Sequence, residues 1–517
     1  MEWREAFLAQ SGGNPASDDR GADWLDVALA RAAGAAPVSG NRIRVLRDGP
    51  ENFPAWLEAI ASAKRYVYFE TYIFRGDRTG QQFVDALAAR AREGVQVRVL
   101  YDWAGSFATP SRVWRTLRDA GAEVRCFNPF DWSSPLGWVH RDHRKTVSAD
   151  GRVAFVSGLC VGDAWAGDPE KGVPPWRDTG VQIEGPAVAD VEHAFARVWA
   201  TVGAPIPEDE RRRRAEIDPV GDTRLRVISD EPGTAGLLRL DQFIASAARR
   251  SLWITDAYFA GTPPYVQALR AAALDGVDVR LLVPGSSDIP ALQPFSRAGF
   301  RALLEAGIRV FEWKGPMLHA KTAVCDGQWA RVGSTNLNVV SWLGNYELDV
   351  ALEDAGFAGQ MEEMYLQDLE NSTELVLAGR RLRSAVPRPP AQRMPRKARG
   401  SAGRAAAGAL RVGNTVTAAI SERRTLESGE RRMVLVGGLA LLTVAALWAV
   451  FPRVLGFPVA LLLGWLALSL LWKAWRLRRP AKTASPASLP SVHDGPTAVA
   501  PSASARRSAS LRGDAPG

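Results

Sequence analysis

Apolar residues gather in short runs along this chain, and between them lie longer stretches whose apolar positions suit one face of a helix. The run RYVYFETYIF (65–74) reads as a buried strand, and GQQFVDALAARAREGVQVRVLYD (80–102) as a helix, a glycine turn and a second strand. The same order returns later. SLWITDAYFA (251–260) precedes PPYVQALRAAALDGVDVRLLVPG (263–285), again with Gly-Val after the helix. The repeating unit is roughly 170 residues, far longer than a solenoid repeat. Apolar runs alternating with amphipathic helices predict an α/β protein of two pseudo-symmetric lobes, with mixed or largely parallel sheets flanked by helices. The polar, charged segment GAPIPEDERRRRAEIDPVGD (203–222) reads as the link between them. The expected layout is an N-terminal extension over 1–40, a first lobe over 41–202, the linker over 203–222 and a second lobe over 223–379.

After residue 379 the pattern changes. Residues 380–432 are rich in proline, alanine and arginine and strongly basic, as a tether would be. MVLVGGLALLTVAALWAVF (433–451) then carries no charge, and FPVALLLGWLALSLLW (457–472) follows after a short turn. At ~1.5 Å per residue the first run spans about 28 Å, close to a hydrocarbon core. Basic residues flank both outer ends (Arg431 and Arg432; Lys473, Arg476, Arg478 and Arg479). The expectation is a transmembrane hairpin over 433–472 in the cell membrane, with both ends and the lobes on the cytoplasmic side. The alternative is a buried hairpin of a soluble domain. The tail, 473–517, reads as basic and then disordered.

Charge narrows the partners without choosing one. Lysine and arginine outnumber the acids, 64 to 56, giving a net charge of +8 over 517 residues, which fits an anionic partner. Cys126, Cys160 and Cys325 have no paired spacing, which suggests a reducing compartment and argues against zinc. The N-terminus lacks the basic flank and apolar run of a signal peptide.

The chemistry lies in two short stretches. HRDHRKTVSAD contains His143, Lys145 and Asp150, and LHAKTAVCD contains His319, Lys321 and Asp326 in the same frame, two of only five histidines in the chain. Short, β-branched and apolar neighbours suggest strands, which would put each histidine and its lysine on one face. A glycine turn, a second strand and a small-residue loop follow each aspartate, and the second loop offers Ser334 and Asn336. Two imidazoles and two ammonium groups converging on one pocket suit a phosphodiester. The lysines would neutralise the non-bridging oxygens, one neutral imidazole would attack phosphorus, and the other, protonated, would donate to the leaving oxygen. No cofactor or metal is expected. An attacking imidazole needs its second nitrogen held, and Asp178 in PWRDTG and Glu347 in NYELD are the candidates. Glu70, alone in an apolar strand, is expected to be paired or near the site.

These motifs resemble the phospholipase D superfamily, whose signature is a duplicated His-x-Lys-x4-Asp, and within it the bacterial cardiolipin synthase branch. FETYIF, the glycine-valine strand from Gly94 to Ser106, Trp176 to Thr179 and Gly333 to Leu337 carry the likeness, over about residues 40 to 375. The resemblance implies a phosphohistidine intermediate, with His143 as nucleophile and His319 as general acid. It implies that Lys145, Lys321 and Asn336 hold the phosphate, with help from Ser334, and that Asp178 and Glu347 each orient a histidine. Asp150 and Asp326, counted in the catalytic motif, would close the turn after each strand. One departure stands out: Cys160 occupies the position matching Asn336, so the first half-site lacks an amide. The expected reaction is phosphatidyl transfer between phospholipids, with phosphatidylglycerol as the anionic lipid and the membrane as partner. A hydrolase giving the same intermediate to water remains open, as do a nuclease and a silent lipid-binding scaffold. No nucleic-acid partner is expected.

Overall fold

The computed structural model describes residues 18–384, except 132–138, 287, 289–292 and 379–380, together with a few positions between 442 and 468. Apart from those few positions, the hairpin expected over 433–472 lies outside the described residues, as do its tail and the tether beyond Ser384. Among those described, no helix is long and apolar enough to cross a membrane.

Among the described residues, sixteen strands form one sheet in the order β16-β15-β11-β10-β9-β12-β13-β14-β8-β1-β7-β6-β5-β2-β3-β4. In the first half these are β1 (Val38–Arg47), β2 (Tyr66–Thr71), β3 (Gln96–Asp102), β4 (Glu123–Phe127), β5 (Thr146–Ala149), β6 (Val153–Ser157) and β7 (Thr179–Glu184). The second half has β8 (Thr223–Asp230), β9 (Ser251–Thr255), β10 (Asp278–Pro284), β11 (Arg309–Trp313), β12 (Thr322–Cys325), β13 (Trp329–Gly333) and β14 (Glu347–Glu353), followed by β15 (Ser372–Ala378) and β16 (Arg381–Ser384). From the β1–β8 junction outward, the first seven strands of each half run in matching order, which makes the duplication a pseudo-twofold.

Each half is mixed in the same way. β2, β3 and β4 are parallel, joined by helices Arg78–Arg92 and Ser111–Asp119, whereas β2 pairs antiparallel with β5. Phe69 thus faces Val99 on one side and Val147 on the other, as Ile254 faces Leu281 and Ala323 in the second half. Every residue of β2 is buried, which explains its uninterrupted apolar run: a strand covered on both faces has no solvent side to alternate toward.

The halves share a core. Val156, Val181 and Ile183 pack with Val332, Leu348 and Val350, and helices Val188–Thr201 and Ala355–Glu370 add Val191, Ala194, Phe357 and Met361. Residues 18–40 do more than extend the chain. Leu25, Leu29 and Ala33 of helix Asp18–Ala33 enter the second core beside Leu237 and Leu240, and β1 starts at Val38.

Asp150 and Asp326 are turn residues, placed away from the chemistry. Each begins an Asp-Gly hairpin with positive φ at both positions, 60° and 67° in the first copy, 55° and 63° in the second, the pattern of a type I′ turn. The Asp150 carboxylate accepts the backbone N–H groups of Lys64, Arg65 and Tyr66 at 2.8 to 2.9 Å. Asp326 does the same for Arg249, Arg250 and Ser251 at 2.7 to 3.0 Å. Their place in the motif therefore reflects strand pairing, a correction to counting them as catalytic. Asp150→Ala is expected to lower stability by about 1.5–3 kcal/mol in denaturant unfolding, the worth of hydrogen bonds to a charged group. Turnover per folded molecule should stay unchanged, and its loss would return Asp150 to the site.

Candidate active site

Each histidine lies just ahead of its strand rather than within it. β5 opens at Thr146 and β12 at Thr322, one residue after Lys145 and Lys321. The lead-ins are stitched instead to the opposite half. Asp142 bridges to Tyr346, and Leu318 to Arg177. The His143 N–H donates to the Tyr346 carbonyl at 2.9 Å, and the His319 N–H to the Arg177 carbonyl at 2.7 Å. The next residue after each of those carbonyls is an acid, so each histidine receives its carboxylate from the other half. His143 Nδ1 lies 3.0 Å from Glu347 Oε2, and His319 Nδ1 lies 2.8 Å from Asp178 Oδ2.

The two arrangements match in role but differ in construction. Ser334 Oγ donates to Glu347 Oε2 at 2.6 Å, and Asn345 Nδ2 donates to its other oxygen at 3.2 Å. Asp178 instead receives the Trp165 indole N–H at 3.2 Å and the Thr179 N–H at 2.9 Å. At Gly158, the position matching Ser334, an added Cβ would stand 2.2 Å from Asp178 Oδ1. The shorter acid thus leaves no room for a serine, and tryptophan supplies the missing donor. Ser334, expected on the phosphate, gives its proton to the acid instead, and its oxygen accepts the Leu348 N–H at 2.9 Å. It positions Glu347.

Lys145 Nζ donates to the His143 carbonyl and Lys321 Nζ to that of His319. Lys145 also lies 5.2 Å from the centre of the Tyr72 ring, which meets His143 edge-on at 4.8 Å. Trp165, Trp176 and Tyr258 surround His319 with ring centres 5.6 to 6.0 Å away. Asn336 is buried, and its Oδ1 has no partner among the described residues. Cys160, at the matching position, has its thiol pushed up by burial, so it stays neutral.

Electrostatics tie the half-sites together. Burial drives His143 down to about 4 against the pull of Glu347, and burial followed by Lys321 drives His319 down to about 4. Each ring also feels the lysine of the other half, Lys321 on His143 and Lys145 on His319, so the four groups share one small space. Burial opposes ionisation of Asp178 and Glu347, but the facing imidazoles and the lysines outweigh it and hold both carboxyls below their ordinary values. The resulting state is an ionised acid facing a neutral ring. At His143 the acid accepts Nδ1–H and leaves the Nε2 lone pair for chemistry, while His319 Nδ1 lies between Asp178 and Lys321 Nζ, the latter 2.9 Å away.

Glu70 is both paired and beside the site. Its Oε2 accepts the Thr146 hydroxyl at 2.9 Å, and it interacts with Asp142, the residue before His143. Burial raises both acids, and their mutual repulsion raises Asp142 further. Such a pair is stable when it shares one proton. Asp142 escapes sequence reasoning because an acid beside a histidine reads as solvated. Trp165 and Tyr72 escape it because nothing local marks an aromatic as lining a site.

Burial also lowers Lys321 to about 8, with Asp178 opposing and Lys145 assisting the shift. An ammonium is present below its pKa and lost above it, so one cation leaves the site as pH rises past about 8. Inhibition by inorganic phosphate should therefore weaken above that pH in wild type. In Lys321→Arg the decline should vanish, because a guanidinium stays charged. An inhibition constant flat from about pH 7 to about pH 10 in wild type would contradict this reading.

Three comparisons bear on this geometry. The family model described as "Cardiolipin synthase, PLD-like domain" matches residues 56–163 and 240–369. A cardiolipin synthase of Alkalihalophilus pseudofirmus is 33% identical over 353 residues, covering 67% of this chain and 70% of that protein. Cardiolipin synthase A of Pseudomonas aeruginosa is 34% identical over 360 residues, 68% of this chain and 72% of that protein. In fold, the chain is similar to the crystal structure of phosphatidylserine synthase from Haemophilus influenzae Rd KW20, with a TM-score of 0.53 and 18% identity over 67% of this chain and 92% of that one. With both halves matched and each contributing a histidine, a lysine and the other's acid, this chain belongs to the cardiolipin synthase family of phospholipase D-like proteins.

Proposed function

We propose that this protein moves a phosphatidyl group from one phospholipid to the hydroxyl of another, with phosphatidylglycerol as donor and cardiolipin as product. The observation that carries the reading is the reciprocal pairing: each imidazole is held through Nδ1 by a carboxylate from the opposite half, with two lysines in reach of both rings. His143 Nε2 attacks phosphorus, the bond to the glycerol oxygen breaks, and that oxygen takes a proton from His319. The acceptor hydroxyl then gives its proton to His319 as its oxygen attacks the phosphohistidine, which frees His143. Lys145, Lys321 and Asn336 bind the phosphate oxygens throughout. In the empty site both rings are neutral. The phosphodiester's negative charge offsets the ammonium groups and lifts His319, so on binding the ring takes up from water the proton that the leaving oxygen requires.

The product distinguishes this reading from its relatives. Purified protein given phosphatidylglycerol vesicles is expected to release cardiolipin and glycerol in equal amounts. Phosphatidic acid as the sole lipid product would make it a hydrolase instead. We further assign residues 433–472 to a membrane hairpin, on the strength of two apolar runs with basic outer flanks. Removing 433–517 should shift the protein to the soluble fraction, and retention on membranes would defeat that assignment.

A further inference from the structure

The four consecutive arginines between the halves have no part in the chemistry above. They line a surface cavity of about 340 Å³ together with residues of helix Val188–Thr201, among them Asp190 and His193. Their local partners leave donors over. Arg214 donates to Asp190 at 2.7 Å, Arg213 reaches Glu216 at 3.9 Å in solvent, and the mostly covered Arg211 reaches the exposed Glu208 at 3.4 Å. Arg212 donates to a backbone carbonyl, that of Glu216, at 2.9 Å. The Arg211 Nε is buried without a partner among the described residues. Glu192, the remaining acid of the wall, accepts the Tyr66 hydroxyl at 2.9 Å and the Gly151 N–H at 3.1 Å. Both oxygens are thus engaged inside the lobe, and burial raises this carboxyl to about 7 against the pull of Arg212.

We infer that this cavity is a binding site for a phosphate-bearing anion, separate from the catalytic one. Arginine presents planar paired donors that match a phosphate's oxygens, and a cluster with spare donors supplies what such an anion needs. The cavity has room for a phosphate with a small organic group such as glycerol. Its place rules out direct contact with the reacting atoms. Arg212 lies over Gly151, where an added Cβ would meet its Cγ at 2.9 Å, and Gly151 is at the far end of β5 from Lys145. At ~3.3 Å per residue the four steps from Lys145 to Ala149 alone span about 13 Å. The bound anion is therefore an additional ligand, either a lipid headgroup or a soluble phosphate ester.

His193, on the cavity wall, gives a local reporter, and burial followed by Arg197 and Arg211 lowers its pKa. The full-length protein would be labelled at histidine, and the His193 imidazole signal assigned with His193→Gln and followed by NMR. Inorganic phosphate is expected to shift that signal saturably and raise its titration midpoint, because an anion offsets the arginines. Sodium chloride at the same ionic strength should do neither. In Arg212→Gln/Arg213→Gln the apparent phosphate affinity should fall at least about tenfold, with lipid turnover retained as proof of folding. A response to glycerol phosphate without one to phosphatidylglycerol vesicles assigns a soluble ligand, and the reverse assigns a headgroup. Both support the site. A His193 signal that ignores phosphate, or answers chloride equally, overturns it in wild type without recourse to any variant.

Discussion

Alanine in place of His143 or of His319 is expected to reduce phosphatidyl transfer by about 10⁴-fold or more, since loss of a nucleophile or an acid that acts as part of a unit removes most of its effect. The two losses should differ in kind. A donor with an acidic leaving group needs no proton on departure, so such a substrate should recover much of the rate in His319→Ala and none in His143→Ala. Phosphorus covalently attached to protein should be trapped in His319→Ala and be absent from His143→Ala. Trapping in the opposite variant would exchange the two roles. Turnover near wild type in either would end the two-histidine mechanism.

The orienting acids provide the second large effect. Asp178→Asn and Glu347→Gln preserve shape but remove the charge that holds Nδ1–H, so the ring can turn or take the other tautomer. An amide in place of a buried acid of this kind lowers turnover by about 10⁴-fold with geometry otherwise intact. Because Glu347 serves His143 and Asp178 serves His319, the acidic leaving group should partly rescue Asp178→Asn and leave Glu347→Gln unchanged. Ser334→Ala should follow Glu347→Gln in pattern with a smaller loss, as expected for a residue that positions the acid. If Ser334→Ala instead raised only KM, with kcat untouched, the serine would belong on the phosphate after all.

Much of this architecture is legible in the amino-acid order. The Gly-Val turn after each first helix, the buried run at β2, and the Asp-Gly pairs at 150–151 and 326–327 are local features, set by residues within a few positions of one another. The histidines depart from their expected strand placement for a definite reason. Lys145 and Lys321 sit beside β-branched residues that favour extended backbone, but their segments pair with the opposite half through single bridges, so the ladder starts one residue later. Ser334 gains a partner that the local sequence does not announce, because Glu347, which accepts its hydroxyl, stands 13 residues further on.

The sequence by itself determined the duplication, the α/β class and the side chains of each half-site, because repetition and hydrophobic period are written residue by residue. Only the tertiary structure decided who pairs with whom. His143 and Glu347 lie 204 residues apart, and His319 and Asp178 lie 141 apart. They meet because the two halves share the core of Val156, Val181, Val332 and Val350, which brings the ends of β7 and β14 against the opposite lead-ins. Glu70 and Asp142 come together within the first half, where burial raises both acids. Local pattern fixes which face a side chain takes, whereas burial between halves fixes its neighbour and its charge.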